Sequence, residues 1–91
     1  MNKNDVNASF VKRIAEEAKE GWVADVDFSF VGKGYRNITI GISYYPAEYE
    51  CDLEEQYHVG VNGANIAVFT ILDSDDYEDF IKYVLDLVAV I

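Results

Sequence analysis

Residues 56–72 read QYHVGVNGANIAVFTIL, and this stretch decides the fold because two alternating apolar runs flank the dipeptide Asn62-Gly63. Asn-Gly is favoured in the two-residue type I′ turn of a β-hairpin. A regular register around that turn puts three pairs on the core face: Val61 with Ala64, Val59 with Ile66, and Tyr57 with Val68. Phe69 and Ile71 then point to the opposite face, where they predict a covered or partner-facing patch.

A second predicted hairpin precedes this one. Apolar residues alternate with other residues over 22–31 and again over 38–44, which is the period of a half-buried strand. The sequence Gly32-Lys33-Gly34 between the two runs is a turn signal. The strand over 22–31 begins its apolar alternation at Trp22 and Ala24. We therefore expect four strands in two hairpins.

Helices are predicted at both ends of the chain. Residues 5–20 carry apolar side chains at helical spacing, with Gly21 at the C′ position. A second helix starts with Asp73 or Ser74 as its N-cap, and a terminal strand remains an alternative for its β-branched end. The order αββββα predicts a single α+β domain over residues 1–91. It is a two-layer sandwich with a mainly antiparallel four-stranded sheet and both helices on one face.

The acidic residues are unevenly distributed along the chain. The sequence has 17 acids and 7 Lys plus Arg, for a formal charge of −10. Residues 1–36 contain equal numbers of acids and bases, so the whole excess lies in residues 37–91. Ten acids form two clusters: Glu48, Glu50, Asp52, Glu54 and Glu55, then Asp73, Asp75, Asp76, Glu78 and Asp79. This charge disfavours direct binding to nucleic acid or to an anionic membrane.

Acidic and apolar residues alternate strictly over 48–54, after Pro46. In an edge strand or an exposed arm, alternate side chains project from one face about 6.5–7 Å apart. That geometry predicts a row of four carboxylates at a spacing comparable with the phosphates of a nucleic-acid strand: Glu48, Glu50, Asp52 and Glu54. We expect the opposite side of this segment to face the protein, with the side chains of Tyr49, Cys51 and Leu53. Tyr44, Tyr45 and Tyr49 flank the acids as possible interface anchors.

The sequence lacks the residue combinations that most enzymatic sites require. One cysteine and one histidine exclude a zinc site, and Cys51 and His58 have no orienting third group, so Cys51 is expected to be a semi-buried structural thiol. His58 is expected to face away from the core. Asp25 and Asp27 share one face of a strand, as a paired-carboxylate acid/base site requires, but a solvated strand face has the same pattern. We expect no enzyme, no cofactor and no metal.

In size, in its N-terminal helix before an antiparallel sheet, and in acids concentrated in loops and a late helix, the chain resembles small acidic inhibitors of phages and mobile elements. These include anti-CRISPR proteins, uracil-glycosylase inhibitors and anti-restriction DNA mimics, and bacterial nuclease-immunity proteins fit the same description. The resemblance implies a Cas or other nuclease as the partner. No sequence motif is specific enough to assign functional residues of those proteins to positions in this chain.

The leading hypothesis is a non-enzymatic inhibitor that occupies the basic nucleic-acid-binding site of a nuclease. Its expected partner-binding residues are Tyr45, Glu48, Tyr49, Glu50, Asp52, Glu54, Asp73, Asp75, Asp76 and Asp79. One alternative is a homodimeric structural or assembly module, prompted by Phe69, Ile71 and residues 88–91, with the acids serving solubility and helix capping only. Another is a small enzyme that uses Asp25, Asp27 or His58. The single cysteine and the absence of a signal-peptide pattern favour the cytoplasm, in the host cell if the gene is carried by a phage.

Overall fold

A computed structural model describes residues 1–21 and 25–91, without the side chain of Tyr49. The helices and strands are α1 (Ala8–Gly21), β1 (Val26–Val31), β2 (Asn37–Tyr45), β3 (Gln56–Val61), β4 (Ala64–Thr70) and α2 (Ser74–Val90). The strands form one antiparallel sheet in the order β1-β2-β3-β4, and both helices pack against it. The predicted α+β fold and its element order are confirmed. The predicted start of the first strand at Trp22 and Ala24 lies outside the described residues.

Helix α1 begins at Ala8, three residues later than predicted. The side chain of Asn7 accepts a hydrogen bond from the backbone N–H of Phe10 at 2.9 Å, which satisfies one of the free donors of the first turn. A separate 3-10 turn, Lys3–Asp5, precedes it and is closed by its own capping box. Gly21 is the last helical residue and does not lie beyond the helix end as predicted.

A single core lies between the helices and one face of the sheet. Residues at spacings of one, three and four on α1 and α2 meet alternate residues of the strands, as amphipathic periodicity requires. The residues that are almost fully inaccessible to solvent are Val11, Ala15 and Ala18 of α1, Phe30, Ile40, Ile42, Tyr57 and Val59 of the sheet, and Phe80, Ile81 and Val84 of α2. The other face of the sheet carries neither of the two described helices and is called the open face below.

The register predicted for β3 and β4 is right at the turn and wrong beyond it. Val61 pairs with Ala64, but a β-bulge between Val59 and Gly60 shifts the register, so that Val59 pairs with Ala67 and Tyr57 with Phe69. A bulge adds one residue to one strand, and here that residue is Ile66. Because side chains alternate between faces, the shift reverses the orientation of everything that follows in β4.

The apolar patch predicted around Phe69 is therefore absent. The Phe69 ring packs against the rings of Phe80 and Tyr83, with centroids 5.7 and 5.0 Å apart, and Ile71 also packs against the core. Ile66 and Val68, which were expected in the core, are instead 45% and 50% exposed. The exposed apolar side chains of the last strand are thus Ile66 and Val68, and not Phe69 and Ile71 as predicted.

Helix α2 continues to Val90, so the terminal-strand alternative is wrong. Asp73 is the N-cap, one of the two residues predicted for that position. Val88 is buried in the core, whereas Val90 is 61% exposed. No helix in residues 1–21 or 25–91 combines the length and the apolar character needed to cross a membrane.

Candidate functional site

The sheet topology brings the two acidic clusters to the same end of the molecule. Tyr45, at the end of β2, pairs with Gln56 at the start of β3, and Gln56 pairs with Thr70 at the end of β4. The next residue, Ile71, donates its backbone N–H to the carbonyl oxygen of Glu55 at 2.8 Å. The segments that hold the clusters therefore leave the sheet side by side. We call this surface the acidic end, and it comprises Glu48, Glu50, Asp52, Glu54, Glu55, Asp73, Asp75, Asp76, Glu78 and Asp79.

The first cluster is a compact loop, and the predicted extended row of carboxylates is wrong. Glu48 and Leu53 exchange two backbone hydrogen bonds of 2.8 and 3.0 Å, and a 3-10 turn, Tyr49–Cys51, closes the loop between them. Asp52 has a left-handed φ of 53°, a conformation that Asp tolerates better than most residues. Cys51 is exposed and free, not semi-buried, and Leu53 is also exposed.

Two acids of the second cluster cap helix α2. The Asp73 side chain accepts from the backbone N–H of Asp76 at 3.0 Å. The Asp76 side chain in turn accepts from the backbone N–H of Leu72 at 2.9 Å. Carboxylates at these positions satisfy free N–H groups and interact favourably with the helix dipole. Helix capping is therefore sufficient to explain Asp73 and Asp76.

Two further acids of the acidic end contact lysines of α1. Lys12 Nζ lies 3.1 Å from Glu78, and Lys19 Nζ lies 3.4 Å from Glu55. Glu55 also accepts a 2.7 Å hydrogen bond from the hydroxyl of Tyr44. Burial of Tyr44, together with this bond and the negative charge of Glu55, raises the pKa of Tyr44 to about 12. Glu55 and Glu78 thus help to hold α1 against the rest of the fold.

The remaining acids of the acidic end are exposed, and no Lys or Arg pairs with any of them in the part of the chain that the structure describes. They are Glu48, Glu50, Asp52, Glu54, Asp75 and Asp79. All six were predicted as partner-binding residues. Four of them lie in the 48–54 loop and the other two in the first two turns of α2. The six carboxylates therefore project from two adjacent segments, each held by backbone hydrogen bonds.

Three basic residues lie away from the acidic end. Lys33 and Arg36 flank the turn between β1 and β2, and the backbone N–H of Lys33 donates to the carbonyl oxygen of Ile91, beyond the far end of α2. Lys3 lies beside Leu85 near that same end of α2. The sequence showed an uneven charge along the chain, and the fold converts it into a charge difference between two ends of the molecule.

The tyrosines predicted as anchors do not form one group. The Tyr45 ring is 50% exposed but lies on the open face, where it packs at a tilt against the His58 ring with centroids 4.2 Å apart. Tyr44 is on the core side, half-buried and bonded to Glu55. The prediction for the Tyr49 side chain lies outside what the structure describes.

The open face carries a concave surface, a cavity of about 240 Å³. Its floor includes Gly41 and Gly60, which are directly opposite each other on β2 and β3. We call it the open-face pocket, and its other lining residues include Asp25, Asp27, Ser43, Tyr45, His58 and Asn65. Sequence reasoning placed Asp25 and Asp27 on one strand face and His58 away from the core, and the structure brings these three together. It did not find Ser43, Asn65 or the paired glycines.

Two amide side chains lie within hydrogen-bonding distance of the His58 ring. Its Nδ1 lies 3.3 Å from the amide nitrogen of Asn65, and its Nε2 lies 3.2 Å from Oε1 of Gln56. An amide N–H donating to Nδ1 leaves the ring proton on Nε2, which donates to Gln56. Burial also lowers the pKa of His58 below its ordinary value of 6.5. The two contacts and the burial therefore both favour the neutral form of the imidazole.

The pocket does not have the geometry of a hydrolytic triad. Ser43 is directly opposite His58 on the neighbouring strand, but its hydroxyl donates to the carboxylate of Asp25. Both ring nitrogens of His58 are occupied by amide groups, so the ring has no free lone pair directed at Ser43. Among the described residues, no cluster of three or more His, Cys, Asp or Glu side chains is arranged to hold a metal ion.

No protein-family model, curated protein or solved structure matches the chain.

Proposed function

We propose that the protein is a non-enzymatic acidic inhibitor that occupies the basic nucleic-acid-binding site of a nuclease, such as a Cas nuclease. One observation carries the proposal. Two acidic clusters lie on adjacent supports at one end of the fold, and six of their carboxylates are exposed without a basic partner among the described residues. A dense anionic surface complements the Lys and Arg side chains that line nucleic-acid channels, and it accelerates association by electrostatic steering.

Solubility and capping explain only part of this surface. Asp73 and Asp76 cap α2, and Glu55 and Glu78 contact lysines of α1. Among the described residues, the four acids of the 48–54 loop have no such partner, although like charges held together in one loop repel one another. Recognition of a basic partner is the role that gives this concentration of charge a benefit.

The proposed mimicry of a nucleic acid does not depend on an extended segment. A line of carboxylates at phosphate spacing is not present. Instead, the loop closed between Glu48 and Leu53 and the N-terminus of α2 present charge from two directions. Both supports are fixed by backbone hydrogen bonds, so little conformational entropy is lost on binding. We propose a compact anionic knob that enters a basic cleft.

Competition with DNA tests this function directly. Purified nucleases, including Cas nucleases with their guide RNAs, are immobilised and exposed to the protein at low and high salt. We expect at least one of them to bind the protein at low salt, to release it at high salt, and to lose it when double-stranded DNA carrying its target is added. Binding that persists unchanged with saturating DNA would contradict occupation of the nucleic-acid site.

A second candidate function is a homodimeric assembly module, and the exposure of β4 is the observation that favours it. β4 is an edge strand, and Ile66 and Val68 on its open-face side are 45% and 50% exposed. Unpaired edge strands with apolar side chains promote pairing with another chain. Light scattering at several concentrations tests it, and the variant Val68→Lys should then reduce any dimer to monomer.

A further inference from the structure

The open-face pocket exists because two strands have no side chains at facing positions. Gly41 and Gly60 pair across β2 and β3, which leaves a depression in the middle of the sheet face. A Cβ atom on Gly41 would lie 2.7 Å from Oδ1 of Asp27 and 4.0 Å from Oδ1 of Asp25. The two carboxylates therefore converge over the glycine, and the space above it is bordered by anionic oxygen atoms.

The pocket carries negative charge that its own residues do not neutralise. In residues 1–21 and 25–91, no Lys or Arg forms an ion pair with Asp25 or Asp27. Ser43, which is 8% exposed, donates its hydroxyl to Asp25 and leaves that carboxylate with further acceptor sites. Both ring nitrogens of His58 lie within hydrogen-bonding distance of amide groups, an arrangement that favours the neutral ring. A ligand that fits this site brings positive charge and hydrogen-bond donors.

One wall of the pocket is aromatic. The Tyr45 ring packs at a tilt against the His58 ring, with a centroid separation of 4.2 Å and an angle of 36° between the planes, so its orientation is supported from one side. A planar cation stacks on an aromatic face and donates to carboxylates along its edges, and the guanidinium group does both. An ammonium group is a strongly hydrated point charge that uses neither the plane nor the spacing of two acceptors.

We propose that the open-face pocket binds a guanidinium group, between the carboxylates of Asp25 and Asp27 and against the ring of Tyr45. The group comes from an arginine side chain of a protein or from a free guanidino compound. This goes beyond the proposed function, because apart from Tyr45 the pocket residues belong neither to the acidic end nor to the predicted binding set. The pocket can be tested without any nuclease.

The test is a titration of the ¹⁵N-labelled full chain with methylguanidinium, followed by backbone amide chemical shifts. Methylammonium is the matched probe, with the same charge and no guanidinium plane. We expect methylguanidinium to shift the amides of Gly41, Ser43 and Gly60 in a saturable manner, and methylammonium to bind more weakly. Equal affinity for the two probes, or no saturable shift of these amides, would overturn the proposal.

Two matched variants separate the pocket from general charge attraction. Asp27→Asn and Asp75→Asn each remove one negative charge, the first from the pocket and the second from the acidic end. Asp27→Asn should weaken methylguanidinium binding by at least about tenfold, the usual effect of losing a charge-assisted hydrogen bond, while Asp75→Asn should change it by less than about twofold. Equal losses in the two variants would show nonspecific attraction and overturn the proposal.

A third variant guards against misfolding of Asp27→Asn. Gly41→Ala fills the floor and displaces only the flexible end of Asp27, so the amide spectrum should keep its dispersion while binding is lost. Retained binding in a folded Gly41→Ala variant would overturn the proposal. Blocked arginine amide and agmatine then distinguish the sources: tighter binding of the first indicates a protein side chain, and of the second a free compound. Failure at the pocket leaves the DNA-competition result of the acidic end unaffected, so the two proposals fail separately.

Discussion

Ile71 donates its backbone N–H to the carbonyl oxygen of Glu55 at 2.8 Å, and this bond joins two acidic segments that are far apart in the sequence. It continues the ladder between β3 and β4 by one step beyond Gln56 and Thr70. The loop before β3 and the first turn of α2 are consequently fixed relative to each other. The anionic surface is thus a product of sheet pairing, and its acids should separate into those that support the fold and those that are free to bind.

The caps of α2 test that separation. Asp73→Ala removes the side chain that accepts from the Asp76 N–H, and we expect it to lower the free energy of unfolding by about 1 kcal/mol. Asp75→Ala, in the same turn, changes an exposed acid without a capping bond and should cost less than about 0.5 kcal/mol. Urea denaturation of both variants measures the difference. Equal destabilisation would show that the two acids have the same structural role.

The β-bulge predicts opposite environments for two neighbouring residues of β4. Phe69 packs against Phe80 in the core, so Phe69→Ala should lower the free energy of unfolding by about 3–5 kcal/mol. Val68 is 50% exposed on the open face, so Val68→Ala should lower it by less than about 1 kcal/mol. Thermal unfolding of the two variants measures the difference. A larger loss of stability for Val68→Ala than for Phe69→Ala would contradict the register.

The bulge in β4 and the loop after Pro46 show which parts of the fold the sequence alone does not predict. The helical spacing, the alternation of apolar residues in the strands and the two turn signals predict every major element and their order, because those signals are local. The bulge is not local: Ile66, Ala67, Val68 and Phe69 form an unbroken apolar run, so the period does not reveal where one residue is added. The prediction of an extended segment after Pro46 is wrong for the opposite reason. Its acidic and apolar residues alternate as in a strand, but the backbone folds back so that Glu48 pairs with Leu53.

The pocket illustrates a third limit. Period two places Asp25 and Asp27 on one face of the first strand, and it places Gly41 and Ser43 on one face of the second. Bringing them together with His58 requires the relative register of three strands, which depends on two turns and long-range packing. The outward residues of β2 are nevertheless small or polar from Thr39 to Ser43, and that pattern was the available signal for a shaped open face.

His58 gives a prediction for acid pH. Burial lowers its pKa in the folded protein below 6.5, so the neutral ring favours the folded state above that pH, and this contribution is lost as the pH falls through the folded pKa. Since the chain has one histidine, its ring proton resonance in a pH titration reports the value without ambiguity. We expect a midpoint below 6.5. A higher midpoint would show that the surrounding acids outweigh burial.

Tyr44 gives the corresponding prediction for alkaline pH. Its pKa is raised from 10.0 to about 12 in the fold, so its contribution to stability is complete below pH 10 and is lost as the pH rises through the folded value. Tyr44→Phe cannot ionise but also loses the bond to Glu55. The variant should be less stable than the wild type at pH 7, by about 1 kcal/mol, with a smaller deficit near pH 11. A deficit that is constant from pH 7 to about pH 11 would contradict the assignment.

The central claim is that the acidic end binds the nucleic-acid site of a nuclease, and charge reversal tests it most directly. Glu50→Lys with Asp75→Lys reverses two unpaired acids of that end, and Asp5→Lys with Asp86→Lys makes the same change in net charge elsewhere. The measurement is the dissociation constant of each protein for a nuclease that binds the wild type, as a function of salt. We expect the first pair to weaken binding by at least about a hundredfold and flatten the salt dependence, and the second pair to change affinity by less than about threefold. Equal losses from the two pairs, or undiminished binding by the first, would contradict the account.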